Sequence, residues 1–120
     1  MTANKDIVQR YMDGFNEGDH EKILSCLNDN IIWDMPGYFN LKGKADFDKE
    51  IENDMFTGRP EINVTRMTEE NNVVCAEGSV KAMAKNGRML DALFCDVFEM
   101  VNGKISRLTT YQMNLTNPFE

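Results

Sequence analysis

The sequence has few of the residues from which metal sites and disulfide frameworks are built. It contains one histidine, His20, and three widely spaced cysteines, Cys26, Cys75 and Cys95. A structural zinc site needs about four clustered ligands, and an odd number of cysteines does not close a disulfide framework. We therefore expect no metal site, and reduced, buried thiols of the kind found in cytoplasmic proteins.

Long apolar runs and an excess of positive charge are also absent. No stretch approaches the length of a membrane span, and the first ten residues, MTANKDIVQR, lack the pattern of a signal peptide. Thirteen Lys and Arg stand against twenty Asp and Glu, a net charge of −7. Nucleic acids and anionic membranes attract basic surfaces, so we expect neither as a partner.

The sequence does have the size and composition of one globular domain. It is 120 residues long, with 42% hydrophobic and 28% charged residues, which is ordinary for a folded chain with a single core. No repeat, low-complexity segment or linker divides it. We predict a single domain over residues 1–120.

The first half of the chain predicts three amphipathic helices. Apolar residues recur there at the three-to-four spacing of a helix face, and Asn4, Gly18 and Asp19 are suitable capping residues. The expected bounds are about 4–16, 20–27 and 44–56, the last ended by Gly58-Arg59-Pro60. Between the second and third helices, residues 31–35 predict a short strand and 38–43 a loop.

The second half predicts strands at about 61–68, 73–84, 88–101 and 104–113. The pair Asn102-Gly103 is a strong hairpin signal, and Gly78 within a long strand indicates a bulge or a bend. Helices followed by a meander of strands predict an α+β fold, with the helices covering one face of a bent antiparallel sheet.

Asp96 is the unusual residue of the last hairpin. Period-two alternation places it on one strand face with Leu90, Ala92, Phe94, Phe98 and Met100. The opposite face is apolar too, so Asp96 must find a partner, carry a raised pKa or line a cavity. Two interpretations stay open: a structural partner for Arg107 or Tyr111 on the next strand, or a group in a functional pocket.

The residues also resemble a known superfamily. The run RYMDGFNEGDHEKILSCLNDNIIWDMPG, with LKGKADF and DVFEMVNGKISRLTTYQM, resembles the nuclear-transport-factor-2-like proteins, in the branch of SnoaL-like polyketide cyclases and ketosteroid isomerases. The likeness covers nearly the whole chain. It implies a cone: three N-terminal helices packed on a strongly curved, mostly antiparallel sheet that encloses a pocket. Such a fold hosts isomerases, cyclases, epoxide hydrolases, dehydratases and binders.

The resemblance to ketosteroid isomerases also implies roles for particular residues. Tyr11 falls at the position of that family's helix tyrosine, and Asp96 at the position of its protonated aspartate; together these form an oxyanion hole. The family's base on the first strand corresponds to Met35, and Asp34 lies one residue earlier. An offset of one residue turns a strand side chain to the other face, unless a bulge before Pro36 returns it.

The leading hypothesis is a cofactor-independent isomerase or cyclase acting on a steroid- or polyketide-like carbonyl compound. Asp34 is expected as the acid/base, with Tyr11 and Asp96 stabilising an enolate. The residues expected to line the hydrophobic pocket are Phe15, Trp33, Met35, Phe94, Phe98, Arg107 and Tyr111.

Two other functions stay open, and so does a plain core role for Tyr11. Met35 at the base position favours a non-catalytic binder of a hydrophobic small molecule. Asp96 with Arg107 supplies part of the set that an epoxide-hydrolase-type, water-activating enzyme needs. A homodimer is expected through the outer sheet face, where Leu93, Val97 and Leu108 are candidate contacts.

Overall fold

The computed structural model describes residues 2–51 and 56–115. Within them, helices α1, α2 and α3 are Ala3–Glu17, His20–Leu24 and Gly43–Ile51. The strands are β1 Leu27–Met35, β2 Phe39–Lys42, β3 Phe56–Glu70, β4 Val73–Ala84, β5 Met89–Val101 and β6 Lys104–Asn114. The predicted α+β fold is confirmed, since the three helices accompany one curved, unclosed six-stranded sheet. No helix in these two ranges is long and apolar enough to cross a membrane.

The strand order brings the beginning and the end of the chain together. The sheet runs β2-β1-β6-β5-β4-β3. Strand β6 lies between β5, its antiparallel hairpin partner, and β1, with which it pairs in parallel. Residues of the first strand and of the last hairpin are therefore neighbours, although more than 70 positions separate them in sequence.

Local capping chemistry determines where the first two helices meet. Gly18 adopts a left-handed conformation, with φ of 67°, and ends α1. The Asp19 side chain accepts a hydrogen bond from the Lys22 backbone N–H at 3.0 Å and begins α2. Both predicted signals are confirmed. The α1 cap is Thr2 rather than Asn4, and its hydroxyl accepts from the Lys5 N–H at 3.2 Å.

Two predicted helices differ from the structure at their C-terminal bounds. Helix α2 ends at Leu24, because the Cys26 carbonyl accepts a hydrogen bond from the Ile105 N–H at 2.8 Å and β1 begins at the next residue. Helix α3 ends at Ile51, and the predicted bound near Phe56 is wrong because that residue opens β3. Residues 52–55 of the predicted helix lie outside the described residues.

Two segments expected to be irregular belong to the sheet. The predicted loop at 38–43 contains β2, which pairs with β1. The predicted helix breaker Gly58-Arg59-Pro60 lies inside β3, where the pairing with β4 is interrupted between Thr57 and Glu61. A proline is compatible with a strand at such an interruption, since it has no N–H to donate there.

Gly78 allows β3 and β4 to approach each other closely. The register slips between Val64 and Arg66, directly opposite Gly78, which confirms the bulge predicted at this point. A Cβ atom on Gly78 would lie 2.1 Å from the backbone oxygen of Asn63. No side chain fits in that space without moving the β3 backbone.

A second bulge, which the sequence did not predict, lies at Ser106 in β6. Met100 pairs with Ile105, but Glu99 pairs with Arg107, so one extra residue is inserted between them. Each inserted residue reverses which side chains face the core. Leu108 is therefore fully buried in the core, and its expected place on the outer face is wrong.

The helices and the inner sheet face share one hydrophobic core. Its largest fully buried side chains are Phe47, Phe98, Met12, Ile23, Leu27, Ile31, Ile105, Leu108, Val8 and Val74. Each contributes about 1.5–3 kcal/mol of burial free energy. The core occupies the α1 side of the sheet, and polar residues on that side therefore need an explanation.

Candidate active site

Asp96 lies on the inner face of β5, as its alternation predicts. Its neighbours on that face, Phe94 and Phe98, are 8% and 0% exposed, and Asp96 itself is only 8% exposed. The cross-strand partners are Ala76 on β4 and Thr110 on β6. The carboxyl group is therefore held inside the sheet's apolar concave face.

A chain of hydrogen bonds from β1 ends at this carboxyl group. The Trp33 indole Nε1–H donates to the Thr110 hydroxyl oxygen at 2.9 Å. The Thr110 hydroxyl in turn is hydrogen-bonded to the Asp96 side chain. This bond lowers the pKa of Asp96, as a hydrogen bond donated to the ionised carboxylate does, so the Thr110 hydroxyl accepts from Trp33 and donates to Asp96. The second carboxyl oxygen, Oδ1, is buried without a hydrogen-bond partner among the described residues.

Burial raises the pKa of Asp96 from 3.8 to about 7, and the Thr110 hydrogen bond opposes this rise. The cause is the loss of water around the charged form. Near neutral pH the carboxyl group is therefore present in both protonation states. A buried polar atom with no partner is rare in folded proteins and often marks a functional site.

Tyr11 lies beside Asp96. It is the central aromatic residue of α1, with ring centroids 5.1 Å from Phe15 and 5.4 Å from Phe98. Burial raises the pKa of the Tyr11 phenol well above its ordinary value, and the negative charge of Asp96 raises it further. The phenol therefore stays neutral and keeps its O–H as a hydrogen-bond donor. The structure therefore brings Tyr11 close to Asp96, as the resemblance implies.

Tyr11 and Asp96 both line a small cavity of about 150 Å³, which also contacts Phe15, Trp33, Phe94 and Thr110. It adjoins a larger chamber of about 990 Å³, with which it shares Phe15, Trp33, Pro60, Val80 and Gln112. Met35 lines the larger chamber. Four of the predicted pocket residues therefore line these cavities: Phe15 and Trp33 line both, Met35 the larger chamber and Phe94 the small cavity.

Asp34 is not part of this site. It pairs with Thr109, and its Oδ2 lies 3.4 Å from Nη2 of Arg107. Arg107 also lies 3.7 Å from the Glu99 carboxylate. All these side chains are on the outer sheet face, and no bulge before Pro36 returns Asp34 to the pocket. The structure does not support the expected acid/base role of Asp34.

Three predicted pocket residues also lie elsewhere. The Ser106 bulge turns Arg107 and Tyr111 to the outer face, where Tyr111 is 55% exposed. Phe98 is fully buried beneath the Tyr11 ring and does not line either cavity. The alternative partners considered for Asp96 are thus wrong, since Thr110 takes that position. Asp96 and Arg107 also face opposite sides, so the epoxide-hydrolase set is not assembled.

Thr110 and Gln112 are the site residues that the sequence did not identify. Counting back from Asn102-Gly103 without the bulge places Thr109 opposite Asp96. The true register is one residue later, with Thr110 opposite Asp96 and Gln112 opposite Phe94. The hairpin signal could have suggested a threonine partner, but not which of the two threonines.

No group of three or more His, Cys, Asp or Glu side chains that could hold a metal ion is found in the described part of the chain. The three cysteines are free thiols, of which Cys26 is buried.

Comparison with known families is consistent with this geometry. The model of the SnoaL-like domain matches residues 8–108. The chain belongs to the SnoaL-like family. The match includes α1 from Val8 onward, Tyr11 and Asp96 of the small cavity, and the β5–β6 hairpin as far as Leu108. A search of curated proteins finds no match.

Solved structures give the same fold at low sequence identity. TerC, co-crystallised with polyporic acid, is 19% identical with a TM-score of 0.83, over 92% of this chain and 91% of that chain. A candidate polyketide cyclase from Xanthomonas campestris pv. campestris is 24% identical, with a TM-score of 0.82 over 91% and 89%. A candidate ketosteroid isomerase from Kribbella flavida is 18% identical, with a TM-score of 0.78 over 97% and 82%. At these identities the likeness concerns the fold.

Proposed function

We propose that this SnoaL-like protein is a cofactor-independent isomerase or cyclase acting on a hydrophobic carbonyl compound of steroid or polyketide type. Asp96 is the acid/base and Tyr11 the hydrogen-bond donor to the carbonyl oxygen. The observation that carries the proposal is a buried carboxyl group, Asp96, which lines an apolar cavity together with Tyr11 and whose Oδ1 has no hydrogen-bond partner among the described residues. The chain is also similar to a candidate polyketide cyclase, to a candidate ketosteroid isomerase and to a protein crystallised with polyporic acid, which supports an isomerase or cyclase function.

The mechanism needs one carboxyl group that works in both directions. Ionised Asp96 removes the proton from the carbon next to the substrate carbonyl, and the electron pair of that C–H bond moves to the carbonyl oxygen. The Tyr11 O–H stabilises the resulting enolate by a hydrogen bond. Asp96 then returns its proton to a different carbon, which completes an isomerisation.

In a cyclisation the second half differs. The enolate carbon forms a bond to a second carbonyl carbon of the same molecule, and the oxygen of that carbonyl takes the proton from Asp96. The carboxyl group ends ionised, as it began. A pKa of about 7 suits both steps, because a group near the operating pH is an effective base in one step and acid in the next.

Substitution at two aspartates tests this assignment. A panel of ketones, beginning with a β,γ-unsaturated steroid ketone whose conjugation is followed by ultraviolet absorbance, identifies a turnover. Asp96→Asn is expected to lower it about 100- to 10,000-fold, the usual range for a general acid/base. The matched control, Asp34→Asn on the outer face, is expected to retain turnover. If Asp34→Asn lost turnover and Asp96→Asn retained it, the acid/base would be Asp34 and not Asp96.

One observation favours a second function, a non-catalytic binder of a hydrophobic small molecule. The described β1 side chains that line the larger chamber are Trp33 and Met35, and neither is a carboxylate. If no ketone in the panel is turned over but a planar steroidal phenol binds, and Tyr11→Phe weakens that binding, the pocket serves binding alone.

We also propose that two copies associate through the outer sheet face. Leu93 and Met113 are paired across β5 and β6 and are 47% and 69% exposed, and Tyr111 adjoins them. Such clustered exposed apolar side chains are typical of interaction surfaces. Light scattering after size exclusion is expected to give a dimer mass that Leu93→Lys lowers. A monomer mass for the unsubstituted protein at all concentrations would refute this.

A further inference from the structure

The larger chamber is apolar inside and charged at its mouth. Phe15, Trp33 and Val80 line its interior. Two cations among its lining residues are exposed to solvent and so mark its mouth: Arg59 from β3, and Lys85 from the turn after β4. The chamber therefore has an apolar interior, which can hold apolar groups of a ligand, and a mouth that contains positive charge.

Arg59 is held in position at this mouth. Its Nη1 donates a hydrogen bond to the backbone oxygen of Glu17 at 2.6 Å, at the C-terminal end of α1. Its alkyl chain lies against Gly18, where an added Cβ would be 2.8 Å from the Arg59 Cδ. The contact with Glu17 uses one of the five N–H donors of the guanidinium group. The remaining donors include the fork that matches a carboxylate.

Two acids, Glu17 and Glu50, also line the larger chamber. The Glu17 carboxylate is 2.8 Å from Nζ of Lys22, so its charge is balanced by that lysine. Glu50 from α3 is the other acid that lines the mouth. At the far end, Asp96 is ionised to a substantial extent near neutral pH, since its pKa is about 7. A negatively charged group of a ligand is therefore repelled from the small cavity that Asp96 lines and attracted to Arg59.

We propose that Arg59 binds a carboxylate of the substrate, so that the substrate is a hydrophobic carbonyl compound carrying an acid group at the end remote from Asp96. This inference deepens the proposed function and rests on it, because the bound compound is a substrate only if the protein is an enzyme. Arg59 determines both specificity and orientation: the acid end stays at the mouth, and the carbonyl end enters the small cavity. Lys85 adds attraction without the fork geometry.

A matched pair of probes tests the proposal on the full chain. Pyrenebutyric acid and its methyl ester share a polycyclic apolar body and differ in charge, and fluorescence titration measures the dissociation constant of each. The unsubstituted protein is expected to bind the acid about five- to tenfold more tightly than the ester, a modest value because Arg59 is exposed. Arg59→Gln is expected to bring this ratio close to one without changing ester affinity. The control Arg88→Gln, which removes the same charge outside the chamber lining, is expected to retain the ratio.

Two outcomes would overturn the proposal: equal affinity of the unsubstituted protein for acid and ester, or an acid preference that survives Arg59→Gln. The comparison of acid and ester needs only the unsubstituted protein, so it tests the proposal even if Arg59→Gln fails to fold. The probe ratio is independent of turnover, so failure of the Asp96 chemistry and failure of the Arg59 assignment are separable.

Discussion

Replacing Asp96 by asparagine should stabilise this protein, and by an amount that depends on pH. The asparagine side chain has the shape of a protonated carboxyl group but cannot ionise. In the folded state Asp96 is 8% exposed, with one oxygen unpartnered among the described residues, so its charged form is less favourable there than in water. In the unfolded chain the same carboxyl group is hydrated and ionises freely.

The size of the effect follows from the pKa. Burial raises the pKa of Asp96 from 3.8 to about 7. A shift of about three units corresponds to about 4 kcal/mol, at about 1.4 kcal/mol per unit. Between these two pKa values the folded state binds more protons than the unfolded state, so stability falls as pH rises. The loss begins near pH 4 and is complete above pH 7.

Urea unfolding of the unsubstituted protein and of Asp96→Asn, at intervals from pH 4 to pH 8, measures this directly. The two proteins should have similar unfolding free energies near pH 4, and the variant should be more stable by up to about 4 kcal/mol near pH 8. Other titrating groups cancel in the difference. The control Asp34→Asn removes a carboxylate paired with Arg107 on the outer face, and should lower stability by no more than about 1 kcal/mol. A difference between the unsubstituted protein and Asp96→Asn that stays constant with pH would refute the reasoning.

Three further substitutions have defined outcomes. Tyr11→Phe should weaken binding of a planar steroidal phenol by about 1 kcal/mol, the value of one hydrogen bond; fluorescence titration measures it, and unchanged affinity would make Tyr11 a core residue. Gly78→Ala should destabilise the fold by about 2 kcal/mol or more, because its Cβ meets the Asn63 oxygen, whereas Ser79→Ala on the outer face should have little effect; thermal unfolding compares them. Met35→Asp should add proton-transfer activity toward an enolisable ketone, since it places a second carboxyl group at the chamber; no gain would mean that Met35 lies too far from the reacting carbon.

Much of the fold could be predicted because its signals are local. Gly18 and Asp19 end one helix and begin the next through their own backbone and side-chain chemistry. Asn102 and Gly103 form the expected hairpin turn with positive φ values of 52° and 75°. The alternation along β5 likewise predicted the buried face on which Asp96 lies.

The errors in the site have a common origin in strand register. One extra residue at Ser106 exchanges the faces of all later β6 positions, which moved Arg107 and Tyr111 outward and Leu108 inward. No residue type marks such a bulge, because it is set by how β6 fits between β5 and β1. The predicted end of α2 was wrong for a related reason, because the hydrogen bond from Ile105 to the Cys26 carbonyl ends that helix.

The sequence by itself determined that this chain is an α+β domain, and that Asp96 must be buried on an apolar strand face. Its helix caps, turns and period-two alternation act over a few residues, and that range is what a sequence pattern records. Only the tertiary structure decided that Tyr11 and Thr110 surround Asp96, that Asp34 pairs with Arg107 on the other face, and that Arg59 stands at the chamber mouth. These placements depend on contacts between residues tens of positions apart, and a one-residue shift in strand pairing reverses them.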